Sequence, residues 1–107
     1  MTDTSDVIDR LYEVILSRKG ADASSSYTAS LFEKGLSEIA RKVGEESVET
    51  MVAALSEDKA ALISESADVI YHLLVLWAAK DVTPEDVFGE LSSREGVSGI
   101  EEKASRT

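Results

Sequence analysis

There is no cysteine in the 107 residues, which excludes disulfides and thiolate-held zinc and is compatible with a reducing cytosol. Proline occurs once, at Pro84. Basic residues are scarce: 11 Lys and Arg stand against 21 Asp and Glu, for a net charge of −10, and no basic cluster exceeds the pairs Arg18-Lys19 and Arg41-Lys42. That deficit argues against a nucleic-acid or anionic-membrane surface as partner. An anionic nucleotide remains admissible where a divalent cation stands between it and the carboxylates. The longest apolar run is too short to span a bilayer, and the polar start Met-Thr-Asp-Thr-Ser-Asp lacks the basic and apolar regions of a signal peptide. The expectation is a single cytoplasmic domain, small enough that self-association is a natural way to gain core.

What is present throughout is helical periodicity, with no sustained strand-like alternation, so the chain reads as all-α with four to five helices. Val7, Ile8, Leu11, Tyr12 and Ile15 predict a first helix from Asp6 to Lys19 that stops before Gly20. A Ser-rich loop, Ala21 to Ser26, follows. From Thr28 to about Ser56 the pattern is helical but interrupted by Gly35 and Gly44, which suggests a short helix and then a longer one. Asp58 is placed to cap a third helix, Lys59 to about Lys80. Thr83-Pro84-Glu85-Asp86 supplies a cap, a proline at the first position and first-turn acids for a fourth that ends near Arg94. Residues 1–94 are therefore expected to form the domain, and residues 95–107 a polar tail, mobile or docked on a partner.

The chemistry lies in two groups of acids. On a helix, Glu45, Glu46 and Glu49 fall within a sector of about 100°, apart from an apolar stripe of Val48, Met51, Val52 and Leu55. Taken alone, such a cluster reads most simply as a solvated face with Lys42 pairing to Glu45 and Glu46. The third helix changes that reading, because Val69 to Ala79 runs VIYHLLVLWAA and is apolar on nearly every side. Glu65, Asp68 and His72 nevertheless line up along it. An antiparallel hairpin turning at Glu57-Asp58 brings Glu46 and Glu49 opposite Glu65 and Asp68, so that four carboxylates face one cavity. Oxygen-only ligation suits a hard cation, Mg²⁺ first with Mn²⁺ as substitute, and not a zinc site of His and Cys. A di-iron bundle would need His three residues after Glu, where this chain has Asp68. His72 reads as readily as a satisfied core residue as a ligand, and Tyr71 and Trp77 read as core or interface.

The spacing Glu46-x-x-Glu49, fifteen residues, Glu65-x-x-Asp68 resembles the signature of the all-α, MazG-like nucleoside triphosphate pyrophosphatases. Three segments are more specific: SYTASLFEKG (Ser26 to Gly35), IARKVGEESVETMVAA (Ile39 to Ala54) and ESADVIYHLLVLWAA (Glu65 to Ala79) resemble the phosphoribosyl-ATP pyrophosphatase family, over roughly Val7 to Leu91. The resemblance implies a helical bundle completed by homodimerisation. It implies Mg²⁺-assisted hydrolysis of N1-(5-phosphoribosyl)-ATP to the AMP compound and pyrophosphate, the second step of histidine biosynthesis. With no cyclohydrolase domain in this sequence, a separate cyclohydrolase would act on the product. Carried onto this chain, it makes Glu46, Glu49, Glu65 and Asp68 metal ligands and Glu45 a neighbouring group or the one that orients or deprotonates water. Lys34 and Lys42 become candidates for phosphate contact, and Ser26, Tyr27 and Thr28 candidates for framing the substrate. The alternatives are a housecleaning nucleoside triphosphate pyrophosphatase and a non-catalytic helical dimerisation module.

Overall fold

A computed structural model describes Thr4 and residues 6–105, with side chains throughout except those of residues 101 and 102. Among the described residues there are six helices and no strand: α1 (Val7–Ser17), α2 (Tyr27–Lys34), α3 (Leu36–Ser56), α4 (Lys59–Ala79), α5 (Pro84–Ser93) and α6 (Gly99–Ser105). The fold is all-α.

The local chemistry that sets the boundaries is visible at each joint. The Ser26 hydroxyl accepts from the Ala29 amide and starts α2. At Gly35 the backbone takes φ 100° and ψ 177°, conformational space that is essentially restricted to glycine, and one residue suffices to end α2 and begin α3. Gly44 lies inside α3 without breaking it. The Asp58 carboxylate accepts from the Ala61 amide to start α4, only two residues after α3 ends. Thr83 and Asp86 exchange side-chain and backbone hydrogen bonds in a capping box at the head of α5. Residues 99–105, expected within a polar tail, instead form α6. The Glu-Glu-Lys-Ala run of good helix formers accounts for it locally, although Ile100 is exposed.

Helices α3 and α4 form the predicted antiparallel hairpin and make the most extensive contact in the fold. The core lies at the end of this hairpin away from its turn, where Tyr12 and Ile15 of α1, Leu31 of α2 and Ile39 of α3 meet Leu74, Val75 and Ala78 of α4. The Tyr12 hydroxyl donates to the Val82 carbonyl at 2.6 Å and ties α1 to the segment leading into α5.

Toward the turn the hairpin is bare. Val48, Met51, Val52 and Leu55, expected as the core stripe of α3, are exposed, and so are Ile63 and Ile70 of α4. The buried line of α3 is instead Ile39, Glu46 and Ala53, at seven-residue spacing. Hydrophobic periodicity detects the more apolar face of a helix, and here that face has no covering element among the described residues. Helix α4 is likewise buried only in its C-terminal half.

The apolar run within α4 is too short for a bilayer, but the whole 21-residue helix is long and apolar enough to cross one by length and composition. Its Glu65 and Asp68 carboxylates argue against that placement, because ionised side chains in hydrocarbon are costly.

The capping of α4 supports a direct prediction. Asp58→Ala should lower stability by about 1 kcal/mol in urea denaturation with an unchanged slope. No change would mean that the hairpin turn does not depend on this cap.

Candidate metal centre

Glu46 points into the hairpin from the middle of α3, at a position where the seven-residue spacing of Ile39 and Ala53 would otherwise place an apolar side chain. It is 7% exposed. Carboxylate oxygens of Glu46, Glu65 and Asp68 come within 4.8 Å of one another, and so do those of Glu45, Glu46 and Glu49. Glu46 is therefore common to both groups: Glu65 and Asp68 meet it across the hairpin, whereas Glu49, which is exposed, meets it from the same helix and in the group with Glu45. The Thr50 hydroxyl lies 2.8 Å from the Glu46 carbonyl and 3.1 Å from the Glu65 carbonyl, which fixes the two helices in register beside the acids.

The charges are only partly neutralised. Lys42 Nζ lies 2.9 Å from Glu45 Oε1 and 3.5 Å from Glu46 Oε1. Arg41 bridges Glu38 and Glu45, both at 2.8 Å. Hydrogen bonds from Lys42 and then Arg41 push the Glu45 carboxyl below the usual range. Glu45 is thus already engaged by two cations, a state that weakens it as a proton acceptor. Burial, and then the adjoining Glu49 carboxylate, push Glu46 upward; His72 and Lys42 oppose that shift without cancelling it.

Two buried oxygens, Glu46 Oε2 and Glu65 Oε2, have no hydrogen-bond partner. Buried polar atoms are normally satisfied, and an orphaned carboxylate oxygen is costlier than a neutral one. Both orphans belong to the same cluster, which is the donor set a hard cation requires. The residues therefore fit a divalent metal.

The other expected site residues divide. Tyr27, the first residue of α2, is half-exposed and lies near Lys42 and Glu46. Burial chiefly raises its pKa, while Lys42 counteracts the rise. Thr28 is buried and hydrogen-bonded to the Tyr71 hydroxyl. Ser26 spends its side chain on the α2 cap. Lys34 is exposed in the last turn of α2, where its charge acts on Glu38.

Sequence reasoning underrated the aromatic side of the centre. His72 is 5% exposed, its ring meeting those of Tyr27 and Tyr71 edge-on at 5.8 and 5.2 Å. The signal available was the alignment of His72 with Glu65 and Asp68 on one side of α4. The bridging role of Arg41 was also missed, although Glu38 and Glu45 stand three residues before and four after it.

An all-α hairpin whose two long helices bring acids to a shared, undersatisfied centre defines the class: a helical protein whose carboxylates between α3 and α4 form a group that a cation would fit. Comparison with known proteins narrows this. Residues 8–95 match the family described as phosphoribosyl-ATP pyrophosphohydrolase. A phosphoribosyl-ATP pyrophosphatase of Paramagnetospirillum magneticum is 58% identical over 106 residues, covering 99% of this chain and 97% of the relative. Those of Parvibaculum lavamentivorans and Azospirillum brasilense are 59% and 56% identical. They cover 92% and 94% of this chain, and 91% and 90% of their own lengths. The chain belongs to the phosphoribosyl-ATP pyrophosphohydrolase family.

The orphaned oxygens generate a prediction that needs no substrate. In chelator, Glu46→Gln should raise the Tm, because it removes a buried charge that repels its neighbours. A fall in Tm would mean that the ion pair with Lys42 outweighs that repulsion.

Proposed function

We infer that this chain hydrolyses N1-(5-phosphoribosyl)-ATP to N1-(5-phosphoribosyl)-AMP and pyrophosphate, the second step of histidine biosynthesis. The observation that carries the reading is the coincidence of near full-length similarity to phosphoribosyl-ATP pyrophosphatases with two orphaned, buried carboxylate oxygens in one cluster. The reaction breaks the anhydride between the α and β phosphorus atoms. Such a cleavage gathers negative charge on phosphate oxygens, and an acidic pocket needs a cation to receive it.

The ligands proposed are Glu46, Glu49, Glu65 and Asp68, and the ion Mg²⁺, with Mn²⁺ as substitute. When bound, such an ion offsets phosphate charge and makes a coordinated water more acidic. Lys42, paired with Glu45 and Glu46, is the cation placed among the acids, and we assign it to phosphate contact once substrate competes with Glu45 for it. Lys34 lies further out and is the secondary candidate. Glu45, held by Lys42 and Arg41, suits the orienting of water better than its deprotonation. Tyr27 lines the rim toward the substrate, with Ser26 and Thr28 fixing the start of α2 beneath it.

The active form proposed is a homodimer. Its support is the exposed apolar surface of the hairpin, which includes a shallow mid-hairpin groove of about 280 Å³ lined by Ser47, Thr50, Ser66, Val69 and Ile70. A second copy of the chain supplies the cover that Val48, Met51, Leu55 and Ile63 lack. We further propose that residues 1–94 act as the catalytic domain with 95–107 as an accessory tail. The reaction is assigned to the cytoplasm, and a separate cyclohydrolase takes the product onward.

Pyrophosphate release from phosphoribosyl-ATP, with ATP and dUTP in parallel and each with and without Mg²⁺, tests the reading. Mg²⁺-dependent release from phosphoribosyl-ATP alone is expected. Release mainly from ATP or dUTP would move the chain to the housecleaning pyrophosphatases, and none from any would favour a non-catalytic helical module. Glu49→Gln and Asp68→Asn should each reduce turnover by at least a hundredfold while far-UV circular dichroism remains helical; near-normal turnover would remove that residue from the metal shell. Light scattering at micromolar concentration should give twice the 11.5 kDa chain mass, and a monomeric mass would remove the dimer.

A further inference from the structure

Three hydroxyls of α3 turn back on their own helix: Ser47 donates to the Val43 carbonyl, Thr50 to that of Glu46 and Ser56 to that of Val52, each at 2.8 Å. Such bonds are ordinary within helices. The Thr50 hydroxyl differs in having a second acceptor on the facing helix, the Glu65 carbonyl at 3.1 Å. Both partners are carbonyl oxygens, which only accept, so the hydroxyl is the donor and its one proton is shared between two backbones. Those backbones belong to Glu46 and Glu65, whose carboxylates meet that of Asp68 and whose Oε2 atoms are the orphans.

Little else holds α3 to α4 at this level. The buried side chains of α4 begin at His72, and from Glu46 to the turn the only other buried side chain of α3 is Ala53. Like charges on the two helices push them apart while no cation stands between them. A tie between the backbones resists that push. At 3.1 Å it is already long for a hydroxyl donor, so it has little room to lengthen further. Ca²⁺ holds oxygens at about 2.3–2.6 Å, against about 2.0–2.1 Å for Mg²⁺. An ion set between a carboxylate of α3 and one of α4 therefore spreads them by roughly 0.6–1 Å more when it is Ca²⁺.

We propose that Thr50 is a positioning residue: its hydroxyl fixes the separation of Glu46 from Glu65 and Asp68, and thereby selects a small divalent cation over Ca²⁺. Without the tie the empty hairpin relaxes outward, a small ion must draw it back, and a larger one finds more room. This selection rests on the reading of these acids as a divalent-cation site, and not on which nucleotide is hydrolysed.

The test uses the metal alone on the whole chain, with Mn²⁺ followed by the electron paramagnetic resonance of the free ion and Mg²⁺ and Ca²⁺ added as competitors. Thr50→Val keeps the shape and loses the hydroxyl. It should weaken Mn²⁺ and Mg²⁺ about fivefold, the loss expected of one hydrogen bond, and leave Ca²⁺ within twofold. Thr50→Ser keeps the donor and should bind all three ions as the wild type does. An unchanged preference in Thr50→Val, even with a lower Tm, would make Thr50 a fold-stabilising residue and overturn the selection. Should Thr50→Val lose its helical circular dichroism, Thr50→Ala, which also lacks the hydroxyl and adds no bulk, carries the same test. Equal binding of Mg²⁺ and Ca²⁺ by the wild type would overturn the selection and leave the cation site standing. No Mn²⁺ binding by the wild type would remove the cation site itself, and the selection with it.

Discussion

The structure turns on keeping a carboxylate where a helix hairpin would place an apolar side chain. Glu46 occupies the middle of the buried line Ile39, Glu46, Ala53, and burying an ionised group costs several kcal/mol even after relaxation. For a domain of this size that is a sizeable part of its net stability. The rest of the centre makes this tolerable. Lys42 stands one turn away on the same helix, the short turn capped by Asp58 brings Glu65 and Asp68 opposite, and the Thr50 hydroxyl links the two backbones at the same level. The orphaned oxygens mark what the protein alone leaves unfinished.

The hydrophobic residues are segregated along the hairpin. One end is closed by α1 and α2, and from the level of the acids to the turn the hairpin carries exposed Val48, Met51, Leu55, Ile63 and Ile70. The acids lie where the two regions meet. On one side they are backed by a settled core, and on the other they border an apolar surface that no described element covers. Catalytic centres at such boundaries combine rigid support with access, since ligands enter most readily where packing stops.

Much of this was legible in the sequence. Helix ends followed from Asp58, Thr83-Pro84 and Gly35, because caps and breakers act within a few residues. The meeting of Glu46 with Glu65 and Asp68 followed from their comparable distances from the turn at Glu57-Asp58. What did not follow was which face of α3 is inside. Val48, Met51, Val52 and Leu55 are the more apolar set, and periodicity alone cannot tell whether another element of the chain covers that face. His72 was equally closed to sequence reading: its alignment with Glu65 and Asp68 was evident, but its partner Tyr27 lies 45 residues away and reaches it only through the packing of α2 on α4. The helix at Gly99–Ser105 was missed because it rests on local propensity, whereas the expectation was built on apolar anchors.

The joint at Gly35 sets the angle at which α2 delivers Tyr27 and Thr28 to the centre. No atom lies within 4 Å of where a Cβ would stand on it, so steric space does not demand glycine there. Torsion does, since φ 100° with ψ 177° is strained for any side-chain-bearing residue by about 1–3 kcal/mol. The requirement at this position belongs to the Ramachandran map of one residue, and it would stay invisible to any inspection of surfaces, contacts or charge.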